Sequence, residues 1–227
     1  MSPAWSPNAS ELAYVSFEEN SSAIYIQNIF TGEKRQISAR EGINGAPAWS
    51  PDGTKLAMSL SINGNPDIYT VDVRGGTLTQ VTTSGSIDTE PAWSGTNSIV
   101  FTSNRGGSPQ LYRISASGGS AQRLTFDGKY NSAADIANKK LAFITGNNGD
   151  FHVALKSING SGKDMLSSGS LDESPTLSPN GAMVAYTTLK NGDNTLAVVS
   201  DNAKSRQFLT SPVGDVREPA WSPYLNQ

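Results

Sequence analysis

The chain has no cysteine and only one histidine, His152, among 227 residues. Without thiols there is no disulfide, no thiolate nucleophile and no cysteine-based zinc or iron–sulfur site. A single imidazole leaves transition metals short of ligands as well. Charged residues are scarce, at 16%, against about 25% in ordinary globular proteins. The formal net charge is −3, and no basic run or basic–aromatic stripe occurs, so no nucleic-acid partner is expected. Long apolar runs are also missing. Nothing approaches the ~20 residues of a membrane-spanning helix, so no direct membrane insertion is expected. The N-terminus lacks the charged start and apolar stretch of a secretory signal.

Catalytic signatures are equally sparse. A Ser–His–Asp triad would have to use His152 in "DFHVALK", which reads as a strand, and no G-x-S-x-G elbow is present. "GSGKD" at Gly160–Asp164 lacks the first glycine, the Ser/Thr and the following helix of a phosphate loop, and reads as a turn. No carboxylate pair is singled out as an acid/base couple, and no enzyme activity is expected. Scattered Asp residues are compatible with a calcium ion in a channel, but no loop has the ligand spacing that predicts one. No cofactor is expected.

What the chain does contain is repetition. The tetrapeptide PAWS places tryptophan at Trp5, Trp49, Trp93 and Trp221. Two degenerate copies fill the long gap, with Asp135 and Leu177 at the tryptophan position, and the period is then 42 to 44 residues. The clearest copy is "APAWSPDGTKLAMSLSINGNPDIYTVDVRGGTLTQVTT". In it PAWS is a first strand, "PDG" a tight turn, "KLAMSL" and "DIYTVDV" a second and third strand, and "TQVT" a short fourth. No amphipathic helix of adequate length separates the strands, which removes a parallel-sheet reading. Four short strands per ~43 residues is the signature of a β-propeller blade.

The expected fold is therefore all-β. It is a single β-propeller domain over residues 1–227, with five complete four-stranded blades at about 3–46, 47–90, 91–132, 133–174 and 175–218. An extra C-terminal inner strand is expected at 219–222. The repeated tryptophan is expected to pack between neighbouring blades.

Loops on a rigid scaffold carry function. The loops before each PAWS copy gather at one mouth of a propeller and hold Glu41, Asp88, Glu90, Asp127, Asp135, Asp172, Glu173, Asp215 and Glu218, against Arg40, Lys129 and Arg217. Such an acidic mouth favours a basic or amide-rich partner, or else is only a solvated rim.

The segments "APAWSPDGTKLA", "SPNGAMVAY", "LDESPTLSPNG" and "EPAWSPYL" resemble the C-terminal propeller of the TolB family, periplasmic components of the Tol–Pal system of Gram-negative bacteria. The resemblance implies a six-bladed parent and a chain that lacks the family's N-terminal domain and most of its first blade. It implies a periplasmic, non-enzymatic protein-binding module that supports outer-membrane integrity and cell division. Its mouth would dock the lipoprotein Pal and be exploited by colicin translocation segments. Carried over residue by residue, the family's "NGAP" falls on Asn44, Gly45, Ala46 and Pro47, and its "TEP" on Thr89, Glu90 and Pro91. Ile43 stands where the family commonly has His. Asp172 and Glu173, with Arg217 and Glu218, occupy equivalent loops and complete the expected contact set. Two other readings fit the repeat. One is the propeller of a peptidase that gates substrate access, and the other is a shortened propeller scaffold without retained activity.

Overall fold

The structure is a computed structural model that describes residues 1–224 except 19, 63, 148, 210, 212 and 213. Part of the expected turn Ile62–Pro66 and of the loop Thr210–Glu218 thus lies outside the described residues. No helix is present among those described. Twenty strands form five four-stranded antiparallel sheets, each a simple meander in chain order. The chain divides into two compact units, Met1–Phe126 with Pro223 and Tyr224, and Asp127–Ser222.

The first unit holds three sheets. They are β1 (Ala4–Trp5), β2 (Glu11–Ser16), β3 (Ala23–Asn28), β4 (Lys34–Ser38); β5 (Asn44–Trp49), β6 (Lys55–Leu60), β7 (Asp67–Asp72), β8 (Leu78–Gln80); and β9 (Asp88–Trp93), β10 (Ser98–Ser103), β11 (Gln110–Ser115), β12 (Gln122–Arg123). The second unit holds β13 (Tyr130–Ala137), β14 (Lys140–Asn147), β15 (Asp150–Ser157), β16 (Asp164–Met165), and β17 (Asp172–Leu177), β18 (Met183–Lys190), β19 (Asp193–Ser200), β20 (Arg206–Leu209).

The middle strands explain themselves through their side-chain period of two. Along β6, Leu56 and Met58 face the first sheet, where they meet Ala13, Val15, Ile24 and Ile26. Ala57, between them, faces the third sheet and meets Trp93, Ile99 and Phe101. A strand buried on both faces has to be apolar at successive positions, as "KLAMSL" is. Large side chains on one sheet lie against alanines on the next, which fills the seams within the first unit. The seam of the second unit repeats this, with Ala142, Ile144, Val153 and Leu155 against Leu177, Val184, Tyr186 and Val199.

The turn after the inner strand is built by two side chains. Ser50 Oγ donates to Asp52 Oδ1 at 2.6 Å, and Asp52 Oδ1 accepts Thr54 N at 3.0 Å. Lys55 N then donates to Ser50 Oγ at 2.9 Å, and Gly53 takes φ +70°. Ser6 with Asn8 and Ser178 with Asn180 build the same turn. Serine and Asp/Asn two residues apart are therefore the working part of the repeated S-P-[D/N] stretch.

The inner strands begin at Asn44, Asp88, Tyr130 and Asp172, three residues before the approximate blade starts read from PAWS, because the chain is already paired there before a bulge re-aims it. One expectation needs correction. Pro219–Ser222, expected as an extra strand, pairs with no strand. Trp221 nevertheless makes the repeat's contact, since its Nε1 donates to Thr176 O at 3.1 Å. Trp49 does the same to Ala4 O at 3.1 Å and Trp93 to Ala48 O at 3.0 Å. The indole bond survives at the C-terminus without the strand.

Candidate partner-binding face

Every inner strand except the two-residue β1 carries a bulge. Register slips between Gly45 and Ala48 in β5, opposite Val100–Thr102 in β9, between Ser132 and Asp135 in β13, and between Glu173 and Thr176 in β17. At each slip one non-glycine residue is left-handed: Ala46 (φ 48°), Glu90 (55°), Ala133 (51°) and Ser174 (50°). Ser2 (50°) and Glu218 (49°) hold the same place before Pro3 and Pro219. For a side chain with a Cβ this region costs about 1–2 kcal/mol, and bulges that keep such strain re-aim a side chain.

In the first unit the strained residues are pinned. Glu90 N donates to Ser59 Oγ at 3.2 Å, and Thr102 Oγ1 donates to Glu90 Oε2 at 2.7 Å. Ser59 is also the register partner of Gly45. One serine thus ties the Gly45–Ala46 bulge to the Thr89–Glu90 bulge, and these four residues share a half-buried patch.

The residue that opens each strand does a different job. Asn44 is 1% exposed. Its Oδ1 accepts Ser38 Oγ at 2.6 Å and Arg40 N at 3.1 Å, and its Nδ2 donates to Arg40 O at 2.6 Å and Gly42 O at 3.3 Å. Asn131 repeats the last bond type with Nδ2 to Asp127 O at 2.8 Å. Asp172 is also 1% exposed, and Ser167 Oγ donates to its Oδ2. Asn44 and Asp172, expected as contact residues, therefore have side chains spent on their own loops.

Several of the loop acids are buried or paired within their own unit. Asp88 is fully buried and ion-paired to Arg105 at 2.8 Å. Asp135 lies in the seam of the second unit, where burial pushes its carboxyl above the usual carboxylate range against hydrogen bonds from Leu177 N, Thr176 Oγ1 and Ile136 N. Glu41, Asp127, Glu173 and Asp215 are exposed, and Asp215 sits 3.6 Å from exposed Arg217. Glu218 is half-buried. Sequence reading missed Ser59, Thr102 and Arg105, which lie on the second strands or just after one. For Ser59 and Thr102 the only signal was a polar residue inside an otherwise apolar strand pattern, and Arg105, in the turn after β10, had none.

His152 lies in β15 opposite Thr145, with its Nδ1 buried and without a hydrogen-bond partner, so no carboxylate orients it through that nitrogen. Among the described residues no three His, Asp or Glu side chains gather as a metal site, and no helix is long and apolar enough to cross a membrane.

Comparison with known proteins converges on one group. Residues 1–225 match the model of the TolB beta propeller domain. The chain is 53% identical to the Tol-Pal system protein TolB of Xanthomonas oryzae pv. oryzae, over 99% of this chain and 52% of the relative. It superposes on the crystal structure of TolB from Acinetobacter baumannii with a TM-score of 0.93 and 42% identity, covering 99% of this chain and 57% of that one. The chain thus spans about half the length of the curated relatives it matches. A puromycin-hydrolysing peptidase of Mycobacterium tuberculosis, 16% identical with a TM-score of 0.69 over 91% of this chain and 37% of its own, shares the fold alone.

Proposed function

This chain belongs to the TolB β-propeller family, and on that premise we propose that it is a periplasmic, non-enzymatic protein-binding module of a Tol–Pal system. Its partner in this reading is the lipoprotein Pal, docked on the patch that Gly45, Ala46, Thr89 and Glu90 form in the first unit. The role that follows is support of outer-membrane integrity and cell division, with colicin translocation segments using the same face.

The observation that carries the reading is the state of Glu90. It is half-buried, left-handed, and fixed from two sides by Ser59 and Thr102. A carboxylate held in one strained geometry beside a second bulge loses little freedom on binding, which favours affinity. The surrounding side chains suit a partner that offers backbone N–H groups or a cation to Glu90 and apolar surface to Ala46. Exposed Ile43 and Ile87 flank the two bulges and widen that apolar surface. Asn44 serves here by shaping the loop. In the second unit Glu173, Arg217 and Glu218 are the counterparts, and Asp172 has the shaping role.

Titration calorimetry with soluble Pal tests this, with Glu90→Lys as the variant. Saturable binding that the variant weakens at least tenfold is expected, because a like charge against a cationic group costs several kcal/mol. Unchanged affinity would remove Glu90 from the face.

A further inference from the structure

The four Asx staples of the repeat, Asn44, Asp88, Asn131 and Asp172, are not equivalent, and the difference points to a residue outside the bulges. Asn44 carries its own donor and closes its loop with a neutral amide. Asp88 holds the same place in the next copy but has no amide to give. It is 0% exposed, and its Oδ1 is buried with no hydrogen-bond partner. Its Oδ2 is taken by Arg105 Nη2 at 2.8 Å, with Ser84 Oγ at a long 3.4 Å. Arg105 is the only cation paired with Asp88 among the described residues.

Arg105 is itself locked. Its Nε donates to Ser103 Oγ at 2.9 Å, and its guanidinium lies 5.1 Å from the Phe101 ring centre and 5.0 Å from that of Tyr112. The backbone next to it is joined to the same loop, because Ile87 N donates to Asn104 Oδ1 at 2.9 Å and Asn104 N donates to Ile87 O at 3.3 Å. Thr89 and Glu90 follow directly. A fork-shaped cation seated over two neighbouring rings and aimed at a fully buried carboxylate holds that carboxylate in one position.

We infer that Arg105 is a positioning residue: by compensating buried Asp88 it fixes the segment Ile87–Glu90 and so sets the aim of Glu90, without touching the partner. The inference rests on the partner face proposed above for its functional consequence, though not for its structural content. The physical reason is the cost of an uncompensated buried charge. Without Arg105, the Asp88 carboxylate is left with a single long serine contact and has to reach water. The loop then opens and carries Glu90 with it. The repeat also contains the remedy. An asparagine at position 88 can close its loop as Asn44 does and needs no cation.

The test uses the whole chain in three forms: unchanged, Arg105→Leu, and Arg105→Leu with Asp88→Asn. Amide hydrogen exchange is read at Asp88 and Glu90, whose N–H groups bond Pro66 O and Ser59 Oγ, and Pal affinity is read in parallel. In Arg105→Leu, exchange at both amides is expected to speed up at least tenfold and Pal binding to weaken at least tenfold, and both return in the double variant. Unchanged exchange in Arg105→Leu would overturn the inference. So would accelerated exchange that the second substitution does not restore, because Arg105 would then act other than through Asp88. Restored exchange with affinity still lost would make Arg105 a direct contact and overturn its positioning role. If the unchanged chain fails to bind Pal, the proposed function fails, and the exchange results still decide the role of Arg105.

Discussion

Asp135 Oδ2 accepts the backbone N–H of Leu177 at 2.6 Å, across the seam between the two sheets of the second unit. At the first-unit seams the later sheet contributes a tryptophan whose indole donates to the earlier sheet's carbonyl. The Leu177 side chain has no such donor, so its backbone N–H donates in the same direction, and the acceptor on the earlier sheet is a carboxylate instead of a carbonyl. Thr176 Oγ1 adds a second donor at 3.0 Å. The two degenerate positions of the repeat thus compensate each other.

Asp135→Ala should therefore destabilise the chain by about 1–3 kcal/mol, since it leaves the Leu177 amide buried and unpaired. Urea unfolding measures this directly. A loss below about 0.5 kcal/mol would mean that water replaces the carboxylate and that the seam does not depend on it.

The tryptophans predict a graded series. Trp49 is buried in the first seam at 9% exposure, whereas Trp221 is 36% exposed and lies in no strand. Trp49→Ala should cost about 3–5 kcal/mol. Trp221→Ala should cost about 1 kcal/mol, little beyond its indole hydrogen bond. Equal losses would show that the C-terminal segment is packed as tightly as an inner strand.

The left-handed bulges predict a stabilising substitution. Ala46→Gly removes a Cβ from a φ of 48°, and relief of that strain outweighs the entropy of the added glycine. A gain of about 0.5 kcal/mol is expected, a rise of about 1–2 °C in Tm for a chain of this size. Ala48→Gly, two residues on and outside the left-handed region, should lower Tm. If Ala46→Gly also lowers it, the bulge is not strained. Affinity for Pal should fall in Ala46→Gly even as stability rises, because freedom returns to the face.

Asp67 predicts a pH dependence. Burial pushes its carboxyl up, nearby Asp88 adds to this, and hydrogen bonds from Thr82 and Gln80 oppose it. The folded state thus holds this proton more tightly than the unfolded chain does. Its contribution to stability is complete below the unfolded value of about 3.9 and is lost as pH rises through the raised folded value. Asp67→Asn cannot ionise, so its Tm relative to the unchanged chain should improve as pH goes from 4 to 7. Scanning calorimetry at both values checks this. A constant difference would show that Asp67 does not titrate differently on folding.

Much of this architecture was written in local sequence. The PAWS period, the Ser–Pro–Asp/Asn turns and the apolar middle strands are governed by interactions a few residues long, so five four-stranded sheets could be read without coordinates. Even the degenerate copies were found by spacing alone, because Asp135 and Leu177 keep the register that the tryptophans set. Tertiary structure decided what each polar side chain does. Asp88, Asp172 and Glu90 look alike in sequence as acids before an inner strand. One is buried against Arg105, one is buried on Ser167, and one is held half-exposed between Ser59 and Thr102. Ser167 is a loop neighbour five residues before Asp172, but the partners of Asp88 and Glu90 come from the neighbouring strand, the turn after it or the preceding sheet, up to 31 residues away in the chain, where no local pattern records them. Burial and pairing turn a carboxylate into a staple or a contact, and both are properties of the packed sheets rather than of any single repeat.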